Sequence, residues 1–279
     1  MKRFRKVYLE ISNRCNLSCS FCPGTKRPAG SLNQERFALA LDRLRPWTDY
    51  IYFHLMGEPL CHPEVELFLA LAGQKGFRVI LTTNGTLLTR HQEMLLAAPA
   101  LHKVNISLHA YEANDLETPF SQYLDGCFCF GQAARGEKLV VYRLWNAGGA
   151  DAYNREILRA MEGYFPGPWT QERRGIRVGP KVYLEQGDKF DWPDLSAKDG
   201  GERVFCYGLR DQIGVLWDGT VVPCCLDHEG GIPLGNLFEQ ELGEILDGPR
   251  AQAVYRGFQQ GVAVEELCRK CGFAHSRFG

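Results

Sequence analysis

Apolar and polar positions alternate along the first two-thirds of the chain in two interleaved rhythms. Val7–Ser12, Tyr50–Leu55, Arg78–Thr83, Val104–His109, Lys138–Trp145 and Ile176–Leu184 carry the short, β-branched and aromatic runs of strands. Between them, Glu35–Leu44, Glu64–Gln74, Thr89–Ala97, a stretch within Leu116–Ala134, and Ala152–Gly163 carry helical spacing, as at Phe37, Leu41 and Leu44. Six strands alternating with helices predict a parallel α/β sheet. Right-handed crossovers would curl it into a partial (β/α)6 barrel.

The rhythm then changes. Gly187–Arg203 is polar and rich in Gly and Pro, and reads as a linker. Beyond it, Ile213–Trp217 and Thr220–Pro223 flank Asp218-Gly219 as a hairpin, and Phe238–Leu246 reads as a short helix. The expected organisation is a barrel over 1–186, a linker over 187–203 and a small α+β domain over 204–279. So small a unit has little core of its own, which favours a metal staple.

The 279 residues are 45% hydrophobic and 23% charged, with a net charge of −1. That balance gives no electrostatic case for nucleic acid or a membrane surface. The basic start is not followed by a signal-peptide core, and no run is long and apolar enough to span a bilayer, so the expected location is the cytoplasm. In that compartment eleven cysteines point to metal rather than to disulfides.

Seven of them fall into two groups: Cys15, Cys19 and Cys22 as C-x3-C-x2-C, and Cys206, Cys224, Cys268 and Cys271, ending in C-x2-C. Three neighbouring thiolates leave one iron of a cubane cluster open, whereas four saturate it. A tetrahedral zinc is the alternative for the second group, and Cys225 competes with Cys224 for the ligand role. Cys127-Phe-Cys129 lies in an apolar stretch and reads as buried, inert thiol.

The C-x3-C-x2-C loop after a first strand, with Phe21 before its last cysteine, resembles the radical S-adenosylmethionine (SAM) enzymes. Gly57-Glu58-Pro59, Thr83-Asn84-Gly85, Ser107 and Arg143 follow in the family's order, over about residues 5–185. The resemblance implies that Cys15, Cys19 and Cys22 hold a [4Fe-4S] cluster whose open iron binds SAM. It further implies SAM contacts from Phe21, Gly57, Glu58, Thr83, Asn84, Ser107 and Arg143, and a reductant such as flavodoxin or ferredoxin. The second cysteine group, in the register Gly219-x4-Cys224, resembles the abbreviated SPASM module called twitch, which implies an auxiliary [4Fe-4S] cluster.

Strand parity places companions beside these residues. Tyr52 and His54, Asn105 and His109, and Trp145 are the candidate substrate contacts, and Glu10 shares the inward parity of its strand. Their aromatic character favours a flat small molecule, and the start of the first strand near residue 7 leaves no room for a leader-peptide domain. Within the family the Tyr52–His54 and Tyr142–Asn146 segments resemble the queuine lyases. That implies C–N cleavage of queuine to a 7-aminomethyl-7-deazaguanine, a lyase reaction on a deazapurine base. Peptide maturases and aminocyclitol dehydrogenases are the alternatives; an aminocyclitol would ask for several carboxylates, and the inferred lumen offers few beyond Glu10 and Glu58.

Overall fold

The computed structural model describes residues 3–278, so Met1, Lys2 and Gly279 lie outside it. The chain builds β1 (Lys6–Leu9), α1 (Gln34–Leu44), β2 (Tyr50–Tyr52), α2 (Val65–Gln74), β3 (Arg78–Thr83), α3 (Leu88–Ala97), β4 (Leu101–Ser107), α4 (Phe120–Ala133), β5 (Leu139–Ala147) and α5 (Asn154–Tyr164). Then come β6 (Thr170–Glu172), β7 (Gly175–Gly179) and β8 (Val182–Asp188). The C-terminal part holds β9 (Gln212–Val215), β10 (Thr220–Val222), β11 (Gly235–Asn236), α6 (Leu242–Asp247), α7 (Pro249–Gln259), α8 (Glu266–Arg269) and α9 (Gly272–Phe278).

One sheet runs β11-β10-β9-β1-β2-β3-β4-β5-β8-β7-β6. Its parallel centre, β1 to β5 followed by β8, is the six-stranded partial barrel expected from the sequence. Alternation along each strand sorts the side chains. Val7, Leu9, Ile51, Phe53, Val104, Ile106, Tyr142 and Leu144 are buried in the core beneath the helices. The opposite parity, with Tyr8, Tyr52, Ser107 and Arg143, faces a central cavity. Helix α1 illustrates the outer layer. Asn33 caps it by accepting from the Arg36 N–H at 2.9 Å, and Phe37 stacks on Phe68 of α2 at 4.0 Å between centroids.

One expectation is corrected. Ile176–Leu184 is not one strand but β7 and β8 joined by a tight turn, in which Lys181 takes a φ of 59°. β8 continues past Leu184 and pairs in parallel with β5, Arg143 opposite Glu185. In the C-terminal hairpin, β9 lies parallel to β1, so it extends the barrel sheet. Among the described residues no helix is long and apolar enough to cross a membrane.

Candidate active site

The first cysteine group lies on the loop after β1, and its backbone is held from two sides. Gly57 has a φ of 80°, and a Cβ there would meet the Ser12 carbonyl oxygen at 2.5 Å. Glu58 N–H donates to the Arg14 carbonyl at 2.8 Å, one residue before Cys15. Asn84 closes the other side, its amide donating to Asn16 Oδ1 at 2.9 Å. Asn114, on the segment after β4, donates to Cys19 Sγ at 3.1 Å, and Leu17 N–H donates to Cys15 Sγ at 3.4 Å. N–H donors aimed at sulfur suit thiolate ligands of a cluster.

Glu58 is 2% exposed and accepts from Asn84 N–H at 2.7 Å and from Leu60 N–H at 3.1 Å. Burial outweighs these donors and pushes its carboxyl up to about 7. Thr83 hydrogen-bonds the same carboxylate and accepts from Gly85 N–H at 3.1 Å. Thus Gly57, Glu58, Thr83 and Asn84 form one connected wall around the cysteine loop. Cys61, given no role from sequence, stands in the field of Glu58 and Cys15.

A cavity of about 790 Å3 opens beside this loop. It is lined by Phe21, Ser107 and Arg143, and also by Cys206, Cys224, Cys268 and Cys271. The second cysteine group therefore borders this space directly, and the loop of the first reaches it through Phe21. Phe21 packs against His109 at 4.8 Å between ring centroids, and His109 Nδ1 is 3.0 Å from the Arg143 carbonyl oxygen. His109 thereby supports Phe21. Arg143 is fixed by Glu185 at 3.2 Å and lies 4.3 Å over the Trp145 ring.

Tyr52 and His54 pack on Tyr8, at 4.8 and 5.3 Å between centroids. Burial foremost, then Arg143 and Lys6, draws the His54 imidazole down to about 3, so it is neutral. Its buried Nδ1 has no hydrogen-bond partner among the described residues. Asn105 donates to Thr82 at 3.0 Å while its Oδ1 stays unpartnered. Orphaned polar atoms in or beside a cavity are costly unless a ligand completes them. Glu10 does not serve a ligand. It is fully buried and forked to Arg27 at 2.6 and 2.9 Å, and it accepts from Met56 N–H and Trp217 N–H.

In the second group, Cys224 stands in the field of Cys206, Cys268 and Cys271, and burial pushes all four thiols up. Gly208 N–H donates to Cys206 Sγ at 3.3 Å. Among the described residues, no three His, Cys, Asp or Glu side chains close on a point tightly enough for a single ion. Four mutually interacting thiols are the donor set that saturates a cubane cluster. Cys225 also interacts with Cys206, Cys224 and Cys271, and its thiol is in hydrogen-bond contact with the Tyr8 hydroxyl. The residues present thus fit three thiolates for one cluster and four for another. Of the remaining thiols, Cys127 is buried as expected, but Cys129 is exposed, because positions two apart on α4 face apart.

Sequence reasoning missed three features of this space. Glu185 lies just past the end assigned to its strand. Lys6, Lys103 and Arg174 line the same cavity. The linker is not a free tether: Phe190, Trp192 and Pro193 line the cavity, with Trp192 edge-on to His228 at 5.4 Å.

The comparisons with known proteins agree with this layout. The Radical SAM superfamily model matches residues 9–124, and the SPASM model, an iron-sulfur cluster-binding domain, matches residues 206–272. A tungsten-containing aldehyde ferredoxin oxidoreductase cofactor-modifying protein of Pyrococcus furiosus is 33% identical over 49% of this chain, which spans only 38% of that relative. The S-adenosyl-L-methionine-dependent 2-deoxy-scyllo-inosamine dehydrogenase of Niallia circulans is 26% identical over 97% of this chain and 93% of its own length. Among solved structures, BtrN in complex with AdoMet and 2-DOIA superposes with a TM-score of 0.63 at 18% identity, covering 97% of this chain and 94% of that one.

Proposed function

We propose that this chain, a radical SAM enzyme with a C-terminal SPASM domain, abstracts a hydrogen atom from a small polar molecule and that the net reaction oxidises it. The observation that carries this reading is the shared cavity, bordered by Phe21 and Arg143 beside one cysteine group and by all four cysteines of the other. A substrate lying there would stand against the second cysteine group and beside Phe21 of the first cysteine loop. The similarity to a dehydrogenase over nearly the full length of both chains supports oxidation over cleavage.

When bound, SAM on a cluster with an open iron supplies the 5′-deoxyadenosyl radical. The chain's own residues supply placement. Glu58 and the Asn84 wall would receive the amino group of SAM, Ser107 its ribose, and Arg143, held by Glu185, its carboxylate. Phe21, backed by His109, would cover the adenine. His54, which lines the cavity and whose Nδ1 has no partner among the described residues, is the acceptor for a substrate hydroxyl or N–H group. Phe190 and Trp192 wall the cavity and reduce water access.

Queuine cleavage draws nothing from the relatives matched. The aromatic argument for it weakens too: Tyr52 is packed on Tyr8 and His54, and the Trp145 ring is covered by Arg143. The test is anaerobic incubation of the reconstituted enzyme with SAM, dithionite and panels of polyols, queuine and short peptides. A polyol-type substrate should raise 5′-deoxyadenosine above background and yield a product two hydrogens lighter, one hydrogen atom going to 5′-deoxyadenosine and the other leaving as a proton, its electron passing to the cluster that the second cysteine group would hold. Stimulation by queuine with release of the aminomethyl deazaguanine, and by no polyol, would replace this reading with cleavage.

A further inference from the structure

The ionisable side chains around the cavity are unequal in sign. Lys6 of β1, Lys103 of β4, Arg143 of β5 and Arg174 of the β6–β7 turn all line it. They come from four separate elements, so their convergence is made by the fold and not by a charged run of sequence. Lys6 and Lys103 follow the inward parity of Tyr8 and Ser107 on their strands. Among the described residues, Glu185 is the one carboxylate in ion-pair contact with any of the four, at 3.2 Å from Arg143 and 3.9 Å from Lys103. Asp227 is the other carboxylate on the cavity wall, and Arg173 and Lys189 line it as well, so two carboxylates against six cations leave a surplus of positive charge.

Lys6 and Arg174 are exposed, whereas Lys103 and Arg143 are not freely solvated. The Lys103 side chain is 20% exposed, that of Arg143 16%. Burial foremost, with Arg143, Lys6 and Arg174 opposing Glu185, draws the Lys103 ammonium down to about 8. Crowded, partly desolvated like charges cost free energy unless a counter-charge completes them. The SAM carboxylate would satisfy Arg143 alone. Low-dielectric walls focus the remaining field into the cavity.

We propose that the substrate carries a phosphate or carboxylate group, bound by Lys103 together with Lys6 and Arg174. The inference rests on the reading above in taking this cavity as the substrate site. An amine-bearing substrate, such as an aminocyclitol or the secondary amine of queuine, would enter a field of its own sign. The anion would dock on Lys103 of β4, leaving the neutral part of the molecule for the acceptor His54.

The test is calorimetric titration of the SAM-loaded, reconstituted enzyme with inorganic pyrophosphate and, separately, with citrate, at low and high salt. At least one should bind saturably and more weakly as salt rises. Lys103→Gln should weaken that binding about tenfold or more and Arg174→Ala about threefold, with SAM affinity held in Arg174→Ala. Pyrophosphate binding alone assigns a phosphate ester, citrate alone a carboxylate, and both their shared chemistry. If neither anion binds saturably, or both variants bind like the wild type, the proposal is overturned. Formation of 5′-deoxyadenosine without substrate is measured on the same preparation. Its loss would count against the radical reading, whereas its presence without anion binding would count against the anionic substrate alone.

Discussion

Arg143 on β5 and Glu185 on β8 are register partners on adjacent parallel strands, and their side chains join at 3.2 Å inside the cavity. Glu185 also stands 3.9 Å from Lys103, so one carboxylate orients the proposed SAM-binding arginine and faces the proposed anion-binding lysine.

Arg143→Ala should weaken SAM binding by about 1.5–3 kcal/mol, on the order of 10- to 100-fold, by removing a charge-assisted contact. It removes no thiolate, so iron content should hold. Equilibrium dialysis with labelled SAM checks this; unchanged affinity would move Arg143 to the substrate side of the cavity.

Cys224→Ala and Cys225→Ala should separate cleanly. Cys224 stands among Cys206, Cys268 and Cys271, whereas Cys225 meets Tyr8. Iron per chain should fall from about eight to about four in the first variant and stay near eight in the second. The first should also melt lower, because a structural metal contributes directly to folding. The reverse ranking in iron analysis would exchange the two roles.

The Glu10–Arg27 fork predicts a stability effect without a catalytic one. Removing one partner of a buried pair strands the other, at a cost of about 3–5 kcal/mol. Arg27→Ala should show that loss in denaturant unfolding. Adding Glu10→Gln should recover part of it, since no buried charge is then left unpaired. A loss below about 1 kcal/mol, the range of surface pairs, would show that the fork is not structural.

The Lys103 shift carries a sign. Its folded pKa of about 8 lies below that of a free lysine, so between the two the unfolded chain binds more protons and stability rises with pH. An anion favours the charged ammonium and raises its pKa. Binding should therefore take up a proton near pH 8 and weaken as pH climbs beyond it. Pyrophosphate titrations in buffers of different ionisation enthalpy at that pH would reveal the uptake, and identical heats would count against it.

The first cysteine group and the order of its neighbours were legible because the loop demands local chemistry: a glycine pressed on the Ser12 carbonyl, and amides close to the thiols. Inward parity was legible too, as Tyr52, His54, Ser107 and Arg143 followed the two-residue period, whereas Asn105 lies fully buried against Thr82. Glu185 was hidden by that same period. Ile176, Val178, Val182 and Leu184 keep even spacing through the Pro180–Lys181 turn, so two antiparallel strands read as one that ended before Glu185. Pairing of β9 with β1 is a contact over some two hundred residues, which no local pattern announces. The linker misled through composition: its polar and glycine residues masked Phe190 and Trp192, which line the cavity.

The central claim is that Cys15, Cys19 and Cys22 hold a cluster with one open iron, separate from the one on the second cysteine group. The most direct measurement is iron content together with 5′-deoxyadenosine yield, on the anaerobically reconstituted wild type and on the variant with those three cysteines changed to alanine. The wild type should hold about eight irons and cleave SAM under dithionite, and the variant about four with no cleavage. A variant that still forms 5′-deoxyadenosine would contradict the account.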